Sequence, residues 1–131
     1  MDIPERQDLL NIVDDSLRHA ESKHPVFASM ISRRNMIPGH EESFREDLKR
    51  ELEKIRWGND ARESVKHESI EDLLKEEILE AVDAFYSGDY ILAKQEFSQV
   101  AAVAIRAMHW VDEFSTGHRI KQSYRRKSDV K

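Results

Sequence analysis

Cysteine is absent from this 131-residue chain, so neither a disulfide framework nor a thiolate zinc site is open to it. Only four glycines and three prolines punctuate the sequence. Alternating β-branched runs are missing as well, which disfavours strands and leaves helices. The longest purely apolar run, Val100 to Ile105, is far too short to cross a bilayer. Met1-Asp2-Ile3-Pro4-Glu5 shows no basic region followed by an apolar stretch, so no secretory signal is expected. These absences lead to the expectation of a soluble, cytoplasmic protein without a membrane partner. Known catalytic signatures are also missing: there is no glycine-rich phosphate loop and no nucleophile elbow. His40-Glu41-Glu42-Ser43-Phe44 lacks the second histidine of a zinc-protease helix.

What is present is charge, and it is unevenly spread. The net charge is -5, from 21 Lys and Arg against 26 Asp and Glu. Residues 118–131 carry six basic side chains against Asp129 alone, so this tail is +5 and the remaining chain is -10. An acidic body argues against nucleic-acid binding as the main function, leaving only the basic tail for it. The expected organisation is one all-α domain over residues 1–117, followed by a disordered basic tail over 118–131.

Helical spacing marks four segments. Leu9, Leu10, Val13 and Leu17 share a stripe on a first helix from about Glu5 to Ser22, which His24-Pro25 ends. The stretch from Val26 to His40 is open between a short helix through Phe27, Met30 and Ile31 and irregular chain, and Ile37-Pro38-Gly39 in it is a turn signal. Phe44, Leu48, Leu52 and Ile55 place a second helix over about Glu41 to Trp57, stopping at Gly58 before a polar loop. Ser69 is the expected N-cap of a third helix, with Glu71 and Asp72 suited to its first turn. Gly88 breaks that helix and Asp89 caps a fourth, running to about Phe114. Eleven of the fifteen residues from Phe97 to Val111 are apolar and cover more than one face, so this helix asks for burial on several sides. A helical bundle completed by homodimerisation answers that demand.

The acidic residues flanking Gly88 are placed with mirror symmetry. Glu80 lies eight residues before the glycine and Glu96 eight after it; Glu77 and Gln99 are each eleven away. In two antiparallel helices turning at Gly88, Glu80 and Glu96 sit level, roughly 12 Å from the turn. Glu77 and Gln99 sit level one turn deeper, and the i,i+3 spacing keeps each pair on one face. Three carboxylates and an amide then converge between two helices. Such concentrated like charge is unfavourable without a cation, and a hard divalent metal is the natural one. Asp83, three residues after Glu80, lies on the same stripe.

The pattern Glu76-Glu77-x-x-Glu80, fifteen residues, then Glu96-x-x-Gln99 resembles the MazG-like superfamily of all-α nucleoside triphosphate pyrophosphohydrolases. Members carry Glu-Glu-x-x-Glu followed by Glu-x-x-Asp on the next helix, and here Gln99 stands where that aspartate would be. Arg56-Trp57-Gly58 and His67 resemble the Lys-Trp-Gly and Asn-His elements of phage-type members, and Glu96 to Ala104 resembles their Glu-x-x-Gln-Val-Ala-Ala-Val-Ala run. The likeness covers about residues 54–114. It implies a MazG-like bundle in which Glu77, Glu80 and Glu96 are catalytic. They would hold Mg2+, with Mn2+ able to substitute, and Gln99 would be a weaker fourth ligand. The implied reaction cleaves a nucleoside triphosphate to monophosphate and pyrophosphate. Trp57, Arg56, Lys66 and Arg106 are the candidate substrate contacts.

Plainer readings stand beside these. Trp57 packs against the third helix or stacks on a nucleobase. Arg56, Lys66 and Arg106 are surface or paired cations unless a phosphate recruits them. Gln99 is either a metal ligand or a buried amide satisfied within the bundle. The alternative function is a helical binding or regulatory module that kept the fold and lost turnover.

Overall fold

The computed structural model describes residues 1–32, 41–64 and 67–129, with side chains for all of these except 41–42 and 118–129. The turn expected at Ile37-Pro38-Gly39 lies outside the described residues, as does Lys66. The described residues form four helices: α1 (Ile3–Lys23), α2 (Glu41–Ser64), α3 (Ile70–Tyr86) and α4 (Tyr90–Asp129). No strand occurs among the described residues, so the chain is all-α. Among the same residues, no helix is long and apolar enough to cross a membrane. The contacts divide the chain into two compact units, one of residues 1–23 with 104–131, the other of residues 24–103.

In the larger unit, α2 packs on α3. Phe44, Leu48 and Leu52 recur at i, i+4 and i+8 on α2 and are all buried, with Leu48 only 1% exposed. Phe44 and Leu48 meet Val82 of α3, with Ile31, Leu79 and Tyr86 closing over them. The Phe44 and Tyr86 rings meet edge to face, 4.9 Å between centroids, a favoured aromatic geometry. The short-helix alternative around Phe27 to Ile31 does not form; that stretch is irregular and Phe27 is exposed.

The boundaries of α3 follow the capping chemistry. Ser69 is extended (φ -109°, ψ 143°); the Asp72 amide donates to its hydroxyl, and the hydroxyl donates to the Asp72 carboxylate. At the other end Gly88 adopts φ 81°, the left-handed region that favours glycine. The Gly88 amide donates to the Phe85 carbonyl, and the Asp89 amide to the Ala84 carbonyl, both at 3.0 Å. This is a Schellman ending. The next residue starts α4: the Leu92 amide donates to Asp89 Oδ1 at 3.0 Å.

Two expected boundaries fail. Gly58 does not end α2, which continues to Ser64. A mid-helix glycine costs roughly 0.5–1 kcal/mol relative to alanine, but Asn59 and Arg62 beyond it bind α3 and outweigh that penalty. Likewise α4 does not stop near Phe114 but runs to Asp129. Its last turns are rich in Arg, Lys and Gln, which favour helix without any apolar stripe.

In the smaller unit, Asp2 caps α1 by accepting from the Glu5 amide at 2.8 Å. Burial on α1 is confined to Leu9; Leu10, Val13 and Leu17, expected beside it, are exposed. His109 of α4 lies 3.1 Å from Glu113 and 3.8 Å from Glu5.

Since Leu48 is nearly inaccessible at the centre of the α2–α3 contact, Leu48→Ala should cost about 2–5 kcal/mol in denaturant unfolding. A cost below about 1 kcal/mol would show that α2 and α3 are not held together there.

Candidate metal centre

The Schellman turn at Gly88 reverses the chain, and α3 and α4 then bring their acidic residues together. Glu77, Glu80 and Glu96 each offer a carboxylate oxygen within 4.8 Å of the other two. All three are half-buried. Glu77 Oε2 is buried without a hydrogen-bond partner. An orphaned carboxylate oxygen beside two further carboxylates is an oxygen-rich, anionic environment, which suits a hard divalent cation.

Burial pushes the Glu77 carboxyl above its ordinary range, and repulsion from Glu80 and Glu76 adds to the shift. A hydrogen bond with Glu96 and the nearby Arg56 charge oppose it in part. Burial also raises Glu80, and its hydrogen bond with Glu96 favours the protonated form. Arg56, whose Nε donates to Glu80 Oε1 at 3.2 Å, works in the opposite direction. At this centre one guanidinium faces three carboxylates, and the protonated forms of Glu77 and Glu80 gain.

α2 supports the centre from the side, through residues that the expected helix end at Gly58 had left in a loop. Asn59, a buried polar residue, donates from Nδ2 to the Asp72 carbonyl (3.1 Å) and to Glu76 Oε1 (3.2 Å). Arg62 donates to Asn59 Oδ1 at 3.2 Å and pairs with Asp72 at 3.3 Å. These bonds fix α3 along its first two turns. A signal for them was available: Phe44, Leu48, Leu52, Ile55, Asn59 and Arg62 continue one helical stripe straight through Gly58.

The other expected site residues are distributed as follows. Gln99 lies one turn beyond Glu96 on α4 and is exposed, which removes the buried-amide reading. Asp83 is half-buried on α3 and outside the triad. Arg56 is the partner of Glu80. Trp57 is 76% exposed, so it does not pack against α3 as a core residue. It lines a groove that none of the three glutamates touches. His67 closes α2 with its amide, donating to the Arg62 carbonyl at 2.9 Å, while its side chain is exposed. Arg106 is exposed and belongs to the other compact unit. No known protein family, curated protein or solved structure matches this chain.

The raised carboxyls set a pH dependence. Above the ordinary value of 4.5, the unfolded chain ionises these groups first while the native state keeps its protons. Stability should therefore fall as pH rises from there through the raised values of Glu77 and Glu80. Glu77→Gln and Glu80→Gln should each flatten that decline in metal-free buffer, read as the urea midpoint against pH. Parallel curves for wild type and both variants would show that neither carboxyl is raised in the native state.

Proposed function

We propose that this protein is a Mg2+-dependent nucleotide pyrophosphohydrolase with a MazG-like bundle, assembled as a homodimer. The observation that carries the reading is the convergence of Glu77, Glu80 and Glu96 within 4.8 Å across two helices. The unpartnered Glu77 Oε2 adds a free acceptor at the same place. Glu77, Glu80 and Glu96 would hold the ion, with the amide oxygen of Gln99 as a weaker fourth ligand. A bound Mg2+ supplies phosphoryl polarisation, leaving-group neutralisation and a more acidic water.

The chain's own residues supply the rest. Arg56 fixes the Glu80 carboxylate, so at least one ligand oxygen is oriented before anything binds. One carboxylate of the triad would accept the proton of the attacking water. In the reaction, water forms a bond to the α-phosphorus and the bond to the pyrophosphate oxygen breaks. The water's proton passes to the glutamate.

Exposed apolar side chains support self-association. Ile91, Leu92 and Phe97 on the first turns of α4 are all exposed, and so are Trp110, Val111 and Phe114 further along. Soluble monomers seldom leave so many large apolar groups in water. Light scattering should give at least about 31 kDa, twice the chain mass of 15.4 kDa. A stable monomer at micromolar concentration would remove the dimer from this proposal.

One observation favours a binding module without turnover: Gln99 is neutral and cannot serve as a base. A nucleoside triphosphate panel with Mg2+, scored for monophosphate and pyrophosphate, separates the two readings. The enzyme releases pyrophosphate, and Glu77→Gln lowers turnover on the order of 10²-fold. Gln99→Asp should lower the Mg2+ concentration needed for half-maximal activity. Nucleotide binding without product would establish the module, and neither binding nor product would end both readings.

A further inference from the structure

Trp57, a candidate substrate contact, lies in a groove of its own. On α2, Glu51, Ile55, Gly58 and Arg62 recur at helical spacing, and on α3 Lys75, Ile78 and Leu79 do the same. Together with Lys54 and Trp57 they line an open groove of about 700 Å³ between the two helices, within the ~300–1,000 Å³ typical of small-molecule sites. The three aliphatic side chains give an apolar floor. Trp57, at 76% exposure, leaves its ring open to solvent on the rim.

Charge on this groove runs against the rest of the acidic chain. Three cations line it, Lys54, Arg62 and Lys75, against the single carboxylate Glu51. Arg62 is committed to Asp72 and Asn59 and forms a fixed wall. Gly58 permits that wall, because a Cβ there would meet Arg62 Nη2 at 2.8 Å. Lys75 is held only by a solvent-exposed pair with Glu71, at 3.4 Å. A pair of that kind contributes little and is readily exchanged for a bound anion. Among the described residues that line the groove, Lys54 and Lys75 are therefore the two cations available to a ligand. They approach the groove from opposite helices.

We propose that this groove is a binding site for a small aromatic anion, a planar ring bearing a phosphate or carboxylate. The ring lies on Trp57 over the aliphatic floor and the anionic group lies between Lys54 and Lys75. Aromatic stacking favours a flat partner of any ring type, and ammonium groups favour phosphate or carboxylate oxygens. None of Glu77, Glu80 and Glu96 lines the groove, so binding here needs no divalent metal. The site is independent of the hydrolase reading.

The test uses Trp57 fluorescence in the full-length Trp110→Phe chain, where it is the only tryptophan left. AMP serves as the probe in EDTA, with adenosine and inorganic phosphate as controls. AMP should quench saturably, adenosine should bind more weakly, and phosphate should compete without quenching. The Lys54→Ala, Lys75→Ala double variant should weaken AMP by about tenfold or more, whereas Glu77→Ala should leave it unchanged. Both lysines are exposed, so circular dichroism should show the variant folded. Absence of quenching, or equal quenching by adenosine that the lysine variant does not alter, overturns the proposal. Quenching that appears only with Mg2+ and is lost in Glu77→Ala overturns it too, because the ligand then belongs to the carboxylate centre.

Discussion

Carboxylates of Glu77, Glu80 and Glu96 share a volume in which their oxygens come within 4.8 Å of one another. Even at the dielectric of bulk water, each ionised pair at that separation repels by roughly 1 kcal/mol. Helices left free to choose would splay there. The Schellman turn at Gly88 with its Asp89 cap joins α3 to α4 at one end of the acidic stretch, and the bonds from α2 through Asn59 and Arg62 fix α3 itself. Arg56 adds a single positive charge. Burial, with the remaining repulsion added to it, raises the Glu77 and Glu80 carboxyls. Perturbed carboxyls of this kind cluster at functional sites.

α2 serves two faces with neighbouring residues. Arg56 turns to Glu80, while Trp57 stands in the groove with Lys54 and Lys75. Gly58 comes next and lets the Arg62 guanidinium lie close to the helix. Continuing the helix through this glycine is what gives both faces their shape. Had α2 ended at Trp57, Asn59 and Arg62 would have had no fixed place, and α2 would have held α3 through the Phe44–Leu48–Val82 core and the Arg56–Glu80 pair without the bonds to Asp72 and Glu76.

Much of the carboxylate centre was legible in the sequence, because its placement depends on local rules. Equal spacing about Gly88 sets heights, i,i+3 spacing sets faces, and the caps at Ser69 and Asp89 are short-range chemistry. Less legible were features decided by tertiary contact or by its absence. Glycine at 58 reads as a stop, yet bonds to α3 override it. Residues after Phe114 show no apolar stripe and read as unstructured, although Arg, Lys and Gln suit a helix. Trp57 and Gln99 each had a buried reading that pattern alone could not dismiss, and both are exposed. On α1, an apolar stripe predicted burial that only Leu9 achieves.

The central claim is that Glu77, Glu80 and Glu96 act together as one cation site. Calorimetric titration with Mn2+, a hard divalent ion that Mg2+ competes with, tests it without requiring turnover. Wild type should bind one ion per chain with release of protons, since the raised carboxyls must ionise as the metal enters. Glu80→Gln and Glu96→Gln, made on different helices, should each abolish that binding. Unchanged Mn2+ affinity in both variants would contradict the account, because the ion would then be held elsewhere on this acidic chain.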